Sequence, residues 1–127
     1  MNLPRMHIEA GEHRLHAHVA RSEEERALGL MHRQRLGEDE AMLFMCDAPD
    51  LQSFWMKDTP LPLSAAFIAD DGTVLQIEHM DPHSLDSHAS REPVRFVLEV
   101  LQGWFEERGV RPGDRLVAPV FLAEVSR

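Results

Sequence analysis

SAAFIADDGTVLQIEH, residues 64–79, reads as strand, turn and strand, and this reading decides the fold class. Two β-rich runs, Ser64 to Ala69 and Thr73 to His79, flank Asp70-Asp71-Gly72. Asp-Gly between such runs is a strong hairpin signal, because glycine supplies the positive φ that the tight turn needs. Downstream, Val94, Phe96, Leu98 and Val100 alternate with Arg95 and Glu99, which predicts a half-buried strand. Upstream, AMLFM (41–45) is a buried-looking run followed by a loop around Pro49-Asp50. At the start, Met6, Ile8 and Ala10 share one face of a strand, and Leu15, Ala17 and Val19 share a face of the next, with Ala10 to His13 as the turn.

Helix signals are few. Ser22-Glu23-Glu24-Glu25 has the form of a capping box, and its acidic first turn suits the helix dipole. That helix is predicted to reach Leu30 or Met31, with Leu36-Gly37 closing the segment. Trp104 to Arg108 is predicted as a short helix ended by Gly109. Residues 80–92 are polar and rich in His, Asp and Ser, as a loop would be. Arg111 to Asp114 is a turn, and Leu116 to Val125 is predicted to supply one or two final strands. Helices between strands are too scarce for βαβ units. The expected fold is mainly β: a compact antiparallel β-sandwich or partly closed barrel with two short helices.

The chain has 127 residues, so one domain spanning 1–127 with one core is expected. Hydrophobic residues at 43% and charged residues at 28% are ordinary for a soluble globular protein. No apolar run approaches the ~20 residues of a transmembrane helix, and the N-terminal MNLPRMHIEAG has no apolar core of a secretory signal. Cytoplasmic location is therefore expected, or the periplasm if a leader was removed before this sequence begins. The single Cys46 excludes an internal disulfide or a CxxC pair. A net charge of −9 argues against nucleic acid, which is bound through many Lys and Arg contacts to phosphate. The partner is thus an unidentified small molecule or protein, and the oligomeric state stays open.

Phosphate-loop, dinucleotide, zincin and nucleophile-elbow motifs are absent. Cys46 follows an apolar run and reads as a small packed side chain. His16 and His18 would share a strand face, and His79, Asp81, His83, Asp86 and His88 crowd one segment. Neither group has the usual spacing of a zinc site, so no metal and no cofactor are expected. FWMKDTPLP (54–62) is the informative stretch. If extended, it turns Phe54 and Met56 one way and Trp55 and Lys57 the other. It can serve as plain core and edge. Alternatively, Trp55 is an apolar wall, Lys57 an anion-binding donor, and Asp58 and Thr59 supply orienting hydrogen bonds, the usual make-up of a small-molecule pocket. Glu99 is either a solvated strand residue or the carboxylate partner of a base such as Lys57 or Arg26.

These residues also carry a family likeness. ERALGLMHR (25–33), MLFM (42–45), FWMKDTPLPL (54–63), FIADDGTVLQI (67–77), FVLEV (96–100) and GVRPGD (109–114) follow in order. The chain resembles the bacterial and archaeal family called domain of unknown function 192, or uncharacterised protein family 0127, over about residues 15–120. The resemblance implies a mainly β fold and no established activity, and many relatives look exported or membrane-anchored. Its matching positions are Arg26, Gly29, Leu30, Met31, Phe54, Trp55, Met56, Lys57, Thr59, Pro62, Leu63, Glu99 and Gly103. Three departures stand out: Ala41 where relatives have Gly, Asp58 where they have Asn, and Ser64-Ala65-Ala66 where they have Asp and a bulky pair. The loss of that Asp weakens an enzymatic reading. The expected function is a non-catalytic small-ligand-binding or accessory domain with a pocket around FWMKDT, using Trp55, Lys57, Asp58, Thr59, Glu99 and Arg26. The alternatives are a small hydrolase-type enzyme using Lys57, Asp58 and Glu99, and a protein-interaction domain.

Overall fold

The structure, a computed structural model, describes residues 2–122. Its elements are β1 (Arg5–Ala10), β2 (His13–Ala20), α1 (Glu23–Leu28), β3 (Glu40–Asp50), β4 (Ser53–Phe54), β5 (Leu63–Ile68), β6 (Val74–Met80), β7 (His88–Ala89), β8 (Val94–Leu101) and α2 (Trp104–Glu107). Six strands form one sheet in the order β1-β2-β3-β8-β5-β6, and β4 pairs with β7 in a separate ribbon. The fold is mainly β with two short helices, as the strand patterning predicts. No helix among the described residues is long and apolar enough to cross a membrane.

Local chemistry explains most of the elements. Ser22 accepts from the Glu25 N–H at 3.0 Å, and the Glu25 carboxylate accepts from the Ser22 N–H at 3.0 Å. The helix stops at Leu28, two to three residues earlier than its pattern predicts. Gly29 takes φ +49, and a side chain there would press on the Phe44 ring, 3.3 Å from the position of a Cβ. The Asp70-Asp71-Gly72 turn forms as expected, with the Ala69 N–H donating to the Thr73 carbonyl at 2.9 Å.

Several expectations need correction. β2 and β3 run parallel, from His16↔Glu40 to Ala20↔Phe44. Parallel strands need a connection of about a dozen residues or more, and α1 with its following loop supplies one, so a crossover exists where none was expected. Second, β8 is buried on both faces rather than one. Phe96, Leu98 and Val100 face a core with Ile8, Leu15, Leu43, Trp104 and Phe105. Val97 faces a second core, where Leu30, Leu36, Met56 and Leu61 come from irregular segments that alternation cannot detect. Pro49-Asp50, expected as a loop, ends β3 beyond a register shift between Met45 and Asp50.

A further correction concerns closure. β1 and β6 do not pair with one another, so the sheet is not closed into a barrel. The expected sandwich reduces to the β4–β7 ribbon, laid on the second face by Phe54, whose ring centroid is 5.0 Å from that of Phe44. Among the described residues the segment expected as final strands, from Leu116 onward, makes one isolated bridge, Glu9↔Val117, and Arg115 just before it makes another, Thr73↔Arg115. Residues 123–125 of that expectation lie outside the described residues. Both edges of the sheet are bonded to the segment 113–117: Glu9 exchanges backbone hydrogen bonds with Val117 at 2.8 and 2.9 Å, and Val74 donates to Asp114 at 2.8 Å.

Gly72 is where the hairpin meets that segment. Its φ is +94, and a Cβ would stand 2.1 Å from the Leu116 carbonyl oxygen, a rigid backbone atom. Gly72→Ala should therefore combine backbone strain with displacement of the Leu116 segment and cost at least about 2 kcal/mol. The urea midpoint of the variant against wild type measures this.

Candidate functional site

The FWMKDT stretch is a strand end that folds into a turn. Only Ser53–Phe54 is strand, and Lys57-Asp58 form the turn. Met56 is buried, Phe54 is half-buried, and Trp55 and Lys57 are exposed. The alternation anticipated for these four side chains survives, although the extended conformation does not continue through Lys57. Backbone bonds hold the turn from three sides. The Met56 N–H donates to the Ser84 carbonyl at 2.9 Å, the His32 N–H to the Asp58 carbonyl at 2.7 Å, and the His83 N–H to the Thr59 carbonyl at 3.0 Å.

Asp58 occupies the left-handed region, with φ +54. Asn and Asp tolerate that conformation better than other residues with a side chain. The exchange of Asn for Asp at this position is thus conservative for the backbone. The Asp58 side chain is exposed and does not line the cavity described below. Thr59 is buried, and its hydroxyl donates to the Lys57 carbonyl at 3.1 Å, closing the turn.

Above the second face lies a cavity of about 450 Å³, lined by α1 and its C-terminal turn, by residues 52–57 and by Glu99. Small-molecule sites occupy roughly 300–1,000 Å³. Of the six residues singled out from the sequence, Arg26, Trp55, Lys57, Thr59 and Glu99 line it. Arg26 donates through Nη1 to the carbonyls of Arg21 and of Met45, the latter at 3.2 Å, which moors α1 to β3. The Lys57 ammonium is not buried against a carboxylate as its aromatic neighbour suggests. It lies over the Trp55 ring, 5.4 Å from the centroid. Sequence reasoning missed much of the remaining lining, among it apolar Leu28, Met31 and Phe44 and polar Gln52. The family-like GLM at 29–31 was the available signal for part of it.

Glu99 decides the character of the site. It sits in β8 between Met42 of β3 and Ala65 of β5. Only 4% of its surface is exposed, and among the described residues its carboxyl makes no hydrogen bond or ion pair. Both readings made from the sequence, a solvated residue and a partner of Lys57 or Arg26, are overturned. Burial pushes its carboxyl from the ordinary 4.5 up to about 8, so it is mostly protonated at neutral pH.

Other candidate groups are committed elsewhere. His16 and His18 do share a face, beside a hollow of about 580 Å³ that His7 also lines. His18 bonds Glu40 through Nε2 at 2.9 Å, its buried Nδ1 has no partner, and His7 packs edge-on against His16. In the polar loop, the His83 main-chain N–H donates to the Thr59 carbonyl, and His88 faces Glu78 at 3.4 Å. Among the described residues no three His, Cys, Asp or Glu are placed to hold a metal. Ser64 bonds His79 Nδ1 at 2.8 Å, and His79 Nε2 meets Glu106. Ser64 is wholly buried, so its hydroxyl is not open to a substrate. It also lies on the face opposite Glu99, since Ser64 pairs with Val100 and Ala65 with Glu99. The missing Asp therefore leaves the cavity untouched.

These features define a class: a small, mainly β protein whose loops roof one sheet face above an unpaired buried carboxyl. Over residues 6–118 the chain matches the family described as uncharacterized ACR, domain of unknown function 192, and it belongs to that family. A search of curated proteins finds no match. Among solved structures it is similar to a Sinorhizobium meliloti 1021 protein described as a "putative transcription regulator", with 38% identity and a TM-score of 0.88 over 93% of this chain and 96% of that one. It is also similar to a protein of unknown function from Novosphingobium aromaticivorans DSM 12444. That pair shares 31% identity and a TM-score of 0.80 over 89% of this chain and 83% of the other.

Two measurements test the site's energetics. Because folding raises the Glu99 pKa, its burial favours the folded state fully below about pH 4.5, declines as pH rises, and has reached its least favourable value above about 8. Glu99→Gln is neutral throughout. Its urea stability should gain on wild type by on the order of a few kcal/mol between pH 4 and pH 8. Separately, Met56→Ala should cost about 2–5 kcal/mol as a buried truncation, while Lys57→Met should stay within about 0.5 kcal/mol of wild type as an exposed change. Thermal melts of the two variants distinguish them.

Proposed function

We propose that the protein is a non-catalytic module that binds a small molecule in the cavity above Glu99. The observation that carries this is the Glu99 carboxyl itself. A buried polar group without a partner is destabilising, and this one opens onto a cavity with apolar walls and two cations in its lining. A ligand that completes its hydrogen bonding turns that deficit into affinity. The hydrolase alternative needs Asp58 beside Lys57 and Glu99, and Asp58 is not among the residues that line the cavity. The regulator description of one relative finds little support as a DNA-binding role here. The described helices have six and four residues, and the net charge is −9, whereas duplex binding relies on clustered cations.

The test is a thermal-shift screen of small organic acids, amides and amines on wild type and on Lys57→Met. A binder at 100 times its Kd adds about 2.7 kcal/mol of stability, a clear rise in Tm. Compounds that raise the wild-type Tm and leave Lys57→Met unmoved support the reading. If Lys57→Met melts as badly as Met56→Ala, Lys57 is structural and the site loses its central residue.

A further inference from the structure

We infer that the head group taken by this cavity is the carboxylate of an amphiphilic monoanion, which accepts a hydrogen bond from the Glu99 carboxyl and lies in the field of Lys57 and Arg26. This rests on the ligand-site reading above and adds the ligand's class. The charged groups that reach the cavity are few. Arg26 comes from α1, Lys57 from the turn after β4 and Glu99 from β8. The facing strands β3 and β5 contribute Phe44 and Leu63 to the lining. No second carboxylate joins them among the lining residues, although Asp and Glu outnumber Lys and Arg by 22 to 13 in the chain. A cationic head group would meet two like charges there. An anionic one meets two opposite charges and one acid.

The acid decides how that anion is held. Two carboxylates at one site share a proton, since both cannot ionise cheaply at hydrogen-bond distance. Burial already keeps the proton on Glu99 up to about pH 8, so the bound anion meets a donor. Lys57 has its ammonium parked on Trp55 and no carboxylate in ion-pair range among the described residues, so its charge is available to a ligand. The tail follows from the mouth of the cavity. Leu28 and Trp55 line it and are 56% and 53% exposed, leaving apolar surface that an alkyl or aryl tail would cover.

The experiment is an amide NMR titration of the full chain with hexanoate, hexanamide and hexylamine, at about pH 6.5 and about pH 9. Hexanoate should move, saturably, the amides of residues 26–31, 55–59 and Glu99. Its affinity should fall about tenfold at the higher pH, as the Glu99 proton is lost. Lys57→Met should lose most of the affinity. Glu99→Gln should keep binding at the lower pH, because the amide still donates, and should lose the pH dependence. Hexylamine or hexanamide binding at these residues as well as hexanoate overturns the carboxylate class and leaves the ligand site standing. Hexanoate binding that ignores pH and Glu99→Gln overturns the shared-proton contact. If none of the three probes moves these residues at saturating concentration, the ligand-site reading falls as well.

Discussion

Glu99 cannot turn away from the interior, and that constraint shapes the rest of the molecule. Its strand, β8, is ladder-paired with β3 along one side and β5 along the other. Both faces are covered, so rotating the side chain to solvent would require breaking a central ladder. In a strand, consecutive side chains alternate, and register commits Glu99 to the face where Met42 and Ala65 flank it. An acid at such a position destabilises the apo fold at neutral pH relative to an apolar residue of similar size. The fold carries it on a sheet that has an apolar core on each face.

What stands above Glu99 is held by main-chain bonds. The turn at Lys57-Asp58 is gripped by the loop after α1 and by the loop before β7, each through a backbone N–H. His32, Asp58 and His83, the three non-glycine residues of positive φ among those described, all take part in this junction. Sparsely populated backbone conformations cluster where surrounding structure over-determines them. The junction leaves Trp55 and Lys57 projecting from a fixed base, while Arg26 moors the opposite wall to β3. The walls are thus positioned independently of the side chains that would touch a ligand.

The strand alternation at 64–79, the capping box at Ser22 and the order of the family-like motifs made the fold class legible. So was the gathering of Trp55, Lys57, Thr59, Arg26 and Glu99, which the resemblance and the aromatic–cation pattern singled out. The rest was hidden for physical reasons. Burial on the second face of β8 depends on Leu30, Leu36 and Leu61, which reach it from loops and leave no period to read. The parallel pairing of β2 and β3 depends on where a crossover lands, and helix signals do not encode that. Asp58 looked like chemistry because carboxylates often are, but its φ shows that its position is set by the backbone. Glu99 sits beside Arg95 in a strand with clean alternation, which is how a solvated residue looks too; only the register separates the two cases.

The segment 113–117 has a consequence beyond packing. An outer strand offers a row of open N–H and C=O groups to any extended peptide, which is how sheets recruit foreign strands and grow into aggregates. Here Glu9 on one outer strand and Val74 on the other have spent those groups on Val117, Asp114 and Gly113. Two residues of chain, at most ~7 Å, separate the bridges at Arg115 and Val117, so the two margins of the sheet are drawn to within one short span of each other. The protein occupies part of its own recruitment sites with a piece that is scarcely a strand at all. A chain that loosened here would gain two templates for strand addition at once, before any of its core had come apart.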